Sequence, residues 1–266
     1  MTTAVLEPPR HISASLAVRH GLALAGRGIL KIRKNPSQLL DVTLQPILFM
    51  IMFVYLFGGA IAGGTGAYLQ QLTPGLMVQN IVMASMAAGV ALNTDVSKGV
   101  FDRFRSMPIA RSAPLVGAVL ADIVRYLVAL GTLVVTAMIM GFRVQTGPLP
   151  LLAALALMVL TGLCFCWAPV FVGMLMRSPV AVQGTMIAFI MPLTFGSNVF
   201  VPASTLPGWL QAWVHVNPVS LLTEVTRGLL NGGPVLGPLL GGLAWLAGFV
   251  VVFFPLAMRA YRHRVS

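Results

Sequence analysis

Six apolar runs, each about as long as a bilayer is thick, divide this chain, and its basic residues fall almost entirely into alternate links between them. The runs cover residues 39–57, 75–94, 113–141, 149–176, 180–200 and 235–258. In hydrocarbon a backbone must satisfy its own hydrogen bonds, so runs of about 20 apolar residues are read as spanning helices. Of the 17 Lys and Arg residues, 14 lie on one side. They are Arg10, Arg19, Arg27, Lys31, Arg33 and Lys34 before the first run, and Lys98, Arg103, Arg105 and Arg111 between the second and third. Arg177 follows the fourth run, and Arg259, Arg262 and Arg264 close the chain. Arg143 and Arg227 fall on the other side, and Arg125 lies in or at the edge of the third run. Short loops rich in Lys and Arg stay cytoplasmic. Six crossings with both termini in the cytoplasm are therefore predicted.

Composition narrows the class further. Charged residues make up 9% of the chain and hydrophobic residues 58%, whereas soluble domains carry about 25% charged residues. A pI near 11.1 raises nucleic acid as a partner, but apolar runs separate the basic clusters and leave no continuous basic face. Anionic lipid headgroups and a cytoplasmic partner fit the clusters better. The N-terminus has no compact apolar segment of the kind a cleavable signal needs. Cys164 and Cys166 stand one residue apart in an apolar run, as packing residues rather than metal ligands or a disulfide framework.

Residues 13–35 are too charged to cross. Val18, Leu22, Ala25, Ile29 and Ile32 form one helical stripe, and His20, Arg27, Lys31 and Lys34 lie opposite it. Leu16, Leu24 and Leu30 fall off the stripe. An amphipathic helix in the inner headgroup layer is predicted, with Arg27, Lys31 and Lys34 at the membrane interface. Asn35-Pro36 ends it. On the outer side, residues 58–66 (GGAIAGGTG) read as an uncharged loop. Residues 201–234 read as one or two short amphipathic helices broken by prolines, lying on or dipping into the outer leaflet. Trp209 and Trp213, four apart, are its interfacial anchors.

The link 98–114 reads KGVFDRFRSMPIARSAP. Phe101, Phe104 and Arg105 have helical spacing beside Asp102 and Arg103, which predicts a short amphipathic helix ending before Pro108. It is either a positive-inside loop that sets topology or a helix docking into a groove of a cytoplasmic partner. Residues 98–112 resemble the cytoplasmic loop of type-2 ABC transporter permeases, and within them the daunorubicin-resistance exporter group. Asn198-Val-Phe-Val-Pro, Leu206-Pro-Gly-Trp-Leu, Asn217-Pro218 and Thr226-Arg-Gly-Leu resemble the segment before the last span of that family. The resemblance runs from the N-terminal helix to the C-terminus. It implies a six-span permease that pairs with a second copy or homologue and with two copies of an ABC ATPase subunit. It also implies that Phe101, Asp102, Arg103, Phe104 and Arg105 belong to the ATPase-coupling helix.

The residues themselves bar ATP binding by this chain. A P-loop needs Lys followed by Ser or Thr after a Gly-rich turn, and Lys31, Lys34 and Lys98 precede Ile, Asn and Gly. ATP and Mg2+ thus belong to the partner ATPase, and no cofactor or metal is expected here. His11, His20, His215 and His263 form no cluster with a nucleophile or carboxylates, so no enzymatic site is expected.

Asp122 and Arg125, three apart in an apolar run, are either a structural ion pair near the inner boundary or part of a gate. Asp41 reads as an interfacial carboxylate. Glu224 and Arg227, also three apart, read as a second ion pair or as a substrate contact. Methionines abound in the runs and suit either packing or a surface accepting varied apolar ligands.

An all-α polytopic membrane protein emerges, one permease domain in a bacterial inner membrane. The leading function is ATP-driven export of an amphipathic drug-like compound. Export of a lipid-linked glycan or lipid, and a membrane anchor that transports nothing, remain as alternatives.

Overall fold

The computed structural model describes residues 36–99 and 113–265. The N-terminal helix with Arg27, Lys31 and Lys34, and the loop residues Phe101, Asp102, Arg103, Phe104 and Arg105, lie outside the described residues. Among the described residues, nine α-helices follow in the order α1 (Pro36–Ala62), α2 (Thr65–Ser97), α3 (Ala113–Met140), α4 (Pro148–Phe165), α5 (Trp167–Leu175), α6 (Pro179–Phe195), α7 (Gly208–Val216), α8 (Pro218–Asn231) and α9 (Leu236–Val265), with a 3₁₀ turn at Ala203–Thr205. Among the described residues, five stretches are long and apolar enough to cross a membrane: Thr43–Ala62, Thr65–Ser97, Asp122–Met140, Pro148–Leu175 and Leu236–Tyr261. The fifth expected run forms the 17-residue α6, shorter than the 180–200 span read from the sequence. Pro192 lies near its end, and the chain leaves the helix at Gly196.

α2 is the axis of the bundle. It packs against α1, α3, α4, α5, α6 and α8, and 20 of its residues are buried, from Tyr68 to Asn93. Its start is ten residues earlier than the apolar pattern indicates, because Pro74 does not break it. Proline lacks the N–H that would bond the carbonyl four residues back. Asn231 at the end of α8 supplies the missing donor, its Nδ2 lying 2.8 Å from the Gln70 carbonyl. The gain in α2 comes from both sides: α1 also continues to Ala62, through most of the expected 58–66 loop. The link shrinks to Gly63 and Gly64, where Gly63 takes a φ of +69° that favours glycine.

The fourth run divides into α4 and α5 at Cys166, because Pro169 cannot donate to the Phe165 carbonyl. Helical bonding continues across the break through Cys166 N–H to Gly162 O and Val170 N–H to Cys166 O. Both cysteines are buried and free, the packing role their setting implies. Side chains from α2, α3, α4 and α8 build the main core around Tyr68, Met77, Ile81, Tyr126, Leu133 and Met158. A smaller core lies toward the chain's C-terminus, where Leu92, Trp167, Val170, Met174 and Tyr261 join α2, α5 and α9.

Candidate functional site

Polar groups in this bundle gather at three places. At one end, α2, α5 and α9 converge. The last turn of α5 leaves carbonyls without helical partners, and two side chains from other helices take them. Asn93 Nδ2 lies 2.8 Å from both Gly173 O and Met176 O. Arg264 Nη1 lies 3.1, 2.6 and 2.7 Å from Gly173 O, Met174 O and Met176 O. A cation at a helix C-terminus also complements the negative end of the dipole. Ser178 then caps α6, its Oγ accepting from Ala181 N–H at 3.2 Å. Sequence reading missed Asn93 and Arg264 as partners. The signal was weak, because Asn93 is one of several polar residues in α2, with Gln79, Asn80 and Ser85, and only the fold shows that it is fully buried.

At the opposite end lies a polar seam between α8, α2 and residues 197–200. Ser220, Thr223, Glu224 and Arg227 recur at helical spacing on one face of α8. Asn198 N–H donates to Ser220 Oγ at 3.4 Å, and Asn198 Nδ2 donates to Glu224 Oε1 at 2.9 Å. Arg227 Nη2 donates to Gln71 O and Asn198 O, both at 3.2 Å. Glu224 and Arg227 thus share Asn198 as a common hydrogen-bond partner. Burial pushes the Arg227 guanidinium down from its usual value, and the Glu224 carboxylate opposes that shift. Tyr68 hydroxyl donates to Phe200 O at 2.9 Å, and the Phe200 ring stacks on Phe53 and Phe195 at 4.6 and 5.0 Å.

Asn217 joins this end of α6 to the α7–α8 turn. Its Oδ1 accepts from Val219 N–H and caps α8, while its Nδ2 donates to Leu193 O at 2.8 Å and Gly196 O at 3.2 Å. Trp245 of α9 donates from Nε1 to Val216 O at 2.8 Å. Trp209 is 76% exposed and Trp213 43%, so the face they share points away from the bundle.

The third place is inside α3. Asp122 Oδ1 and Arg125 Nη1 are 2.9 Å apart, and both side chains are buried in protein. One turn on, Tyr126 packs so tightly on Gly162 that an added Cβ there would lie 2.5 Å from its ring.

Known proteins share this architecture's sequence. The ABC-2 type transporter family profile matches residues 20–231. A daunorubicin resistance ABC transporter permease protein of Streptomyces coeruleorubidus is 40% identical over 260 residues, covering 98% of this chain and 92% of its own. A probable doxorubicin resistance ABC transporter permease protein of Mycobacterium tuberculosis is 28% identical over 255 residues, covering 94% and 91%. A putative transport permease of Cyanophora paradoxa is 22% identical over 230 residues, covering 85% and 79%.

Proposed function

The chain belongs to the ABC-2 type transporter family, and we propose that it is the membrane subunit of an ATP-driven exporter of an amphipathic, drug-like compound. The observation that carries the reading is the near-complete match to a permease of daunorubicin resistance, 40% identical across 98% of this chain. Two copies of a cytoplasmic ABC ATPase subunit bind ATP and Mg2+ and supply the energy. A second copy of this chain, or a homologue, completes the transmembrane set. Exposed side chains on α1 (Leu44, Leu48, Ile51, Tyr55) and α6 (Val180, Phe189, Phe195) support pairing through the first and fifth crossings. Reconstituted with its ATPase subunit in vesicles, the permease should raise ATP hydrolysis when daunorubicin is added as a probe. Hydrolysis indifferent to daunorubicin and to a panel of amphipathic drugs, but stimulated by a polyprenyl-linked glycan, would transfer the assignment to lipid-linked cargo.

Six crossings complete the reading. The 17 residues of α6 extend about 26 Å, close to the roughly 30 Å of a hydrocarbon core. The helix starts three residues after the Met176 carbonyl held by Asn93, and four residues past its end Val199 reaches Gly75, 3.0 Å from a Cβ built there. Those α2 positions are 18 residues, or about 27 Å, apart, which supports a full crossing. Trp245, nine residues or about 14 Å into α9, holds the α7–α8 turn. That depth supports a re-entrant hairpin anchored by Trp209 and Trp213. An even number of crossings puts both termini on one side, and the basic residues put that side in the cytoplasm of a bacterial cell. Cysteines introduced at Ser37 and Ser266 should react only with reagent on the cytoplasmic side, and one at Thr65 only with external reagent. The native Cys164 and Cys166 are buried and should stay silent. External labelling at Ser266 would remove the six-crossing arrangement.

A further inference from the structure

We infer that the Asn93–Arg264 clasp is a positioning device that ties movement of the coupling loop to α6. This rests on the proposed docking of loop 98–112 against the ATPase. Three observations carry it. The clasp grips backbone rather than side chains: Asn93 and Arg264 converge on the carbonyls of Gly173 and Met176, so it moves the chain itself. Asn93 stands five residues before Lys98, where the loop begins, and Met176 stands three residues before Pro179, where α6 begins. A displacement of the α2 end therefore reaches the head of α6 through a two-residue link that is itself capped by Ser178.

The far end of α6 is held as firmly. Asn217 fixes its last carbonyls to the α7–α8 turn with bonds of 2.8 and 3.2 Å. α6 is thus a rod with one end in the clasp and the other on the outer hairpin. Packed interfaces of this kind shift between discrete arrangements rather than deform continuously. The loop, clasp, rod and hairpin form one mechanical series from the ATPase side to the opposite face.

The test uses the complete permease–ATPase complex in vesicles, with daunorubicin as the transported probe. Asn93→Leu keeps the side-chain shape and removes both donors. Arg264→Gln removes the cation and Arg264→Lys keeps it. Each single variant leaves the Gly173 and Met176 carbonyls one of their two donors, so the fold should survive.

Asn93→Leu and Arg264→Gln should keep the ATPase bound and hydrolysing at the wild-type rate, while transport per ATP falls about tenfold. Arg264→Lys should restore most of it. Because both residues act on the same carbonyls, their effects should not add, and the double variant, which leaves those carbonyls no side-chain donor, should lose more than the two singles combined. Unchanged transport per ATP, or transport and hydrolysis falling in the same proportion, would reduce the clasp to a packing contact and overturn the inference. The docking reading fails separately, if Phe104→Ala leaves ATPase binding intact whatever the clasp variants do. Should the double variant not assemble, the two singles and the lysine rescue still decide the matter.

Discussion

Gly89→Ala should lower the unfolding temperature of the purified permease by roughly 6–12 °C, from about 3 kcal/mol of overpacking. At Gly89, α2 crosses α5 backbone to backbone. A Cβ built there lies 2.1 Å from the Pro169 carbonyl oxygen and 2.4 Å from its carbon. The reverse contact is equally close, since a Cβ on Gly173 lies 2.5 Å from Gly89 O. Real Cβ atoms do not approach a backbone carbonyl so closely, and neither partner is a flexible side-chain tip that could swing away. One helix must therefore move outward. Between apolar helices in lipid, close packing replaces the hydrophobic drive, so small residues at the crossing matter more than in water. Moving α5 outward would also stretch the bonds from Asn93, one turn along the same helix, to Gly173 and Met176. Gly131→Ala supplies the control, because nothing lies within 4 Å of a Cβ at that position of α3. There alanine should be neutral or stabilising by about 0.5–1 kcal/mol, the difference in helix propensity. Equal thermal curves for the two variants would show that the crossing is looser than its geometry.

The order of the apolar elements was readable, and five of the six expected runs form stretches long enough to cross, because a spanning helix must be apolar along its length. α3 starts at Ala113 as read and ends within one residue of the expected bound. Ends set by single side chains were not readable. The apolar pattern begins at residue 75, just after Pro74, and only the fold brings Asn231, 161 residues away from Gln70, to replace the lost donor. The same limit hid the polar seam. Glu224 and Arg227 share a helical face, which spacing shows, but Asn198 stands between them because the chain leaves α6 at Gly196, which spacing does not show. Asp122 and Arg125 needed only their own helix to meet, and their separation of three residues sufficed. Arg264 was read as one more positive-inside residue. Its role at the α5 terminus depends on α9 continuing past Met258 to Val265, beyond the apolar run that marked the span.

Phe104→Ala should weaken ATPase association roughly 10- to 150-fold without disturbing insertion, if loop 98–112 docks on the ATPase. The residue lies in a link between apolar runs, so no crossing depends on it. Full burial of a phenylalanine contributes roughly 1.5–3 kcal/mol, which converts to that range of affinity. Phe101 and Phe104, three apart, have the spacing of an apolar edge on a short helix, with Asp102, Arg103 and Arg105 beside them in the sequence. Such a helix suits a groove, with aromatic anchors inside and charges at the rim. Charge reversal at Arg103 or Arg105 should therefore weaken binding less than loss of the anchor, and its effect should shrink as salt rises, since rim charges are screened. Export should fall wherever docking falls, because on the proposed reading the energy for export comes from the partner ATPase. Co-purification of the ATPase and vesicle transport measure the two separately. If Phe104→Ala and Arg105→Glu both retain wild-type ATPase binding and export, the loop is left with topology as its only duty. The force of ATP binding would then have to enter through another cytoplasmic segment, with the basic stretch of residues 13–35 the next to test.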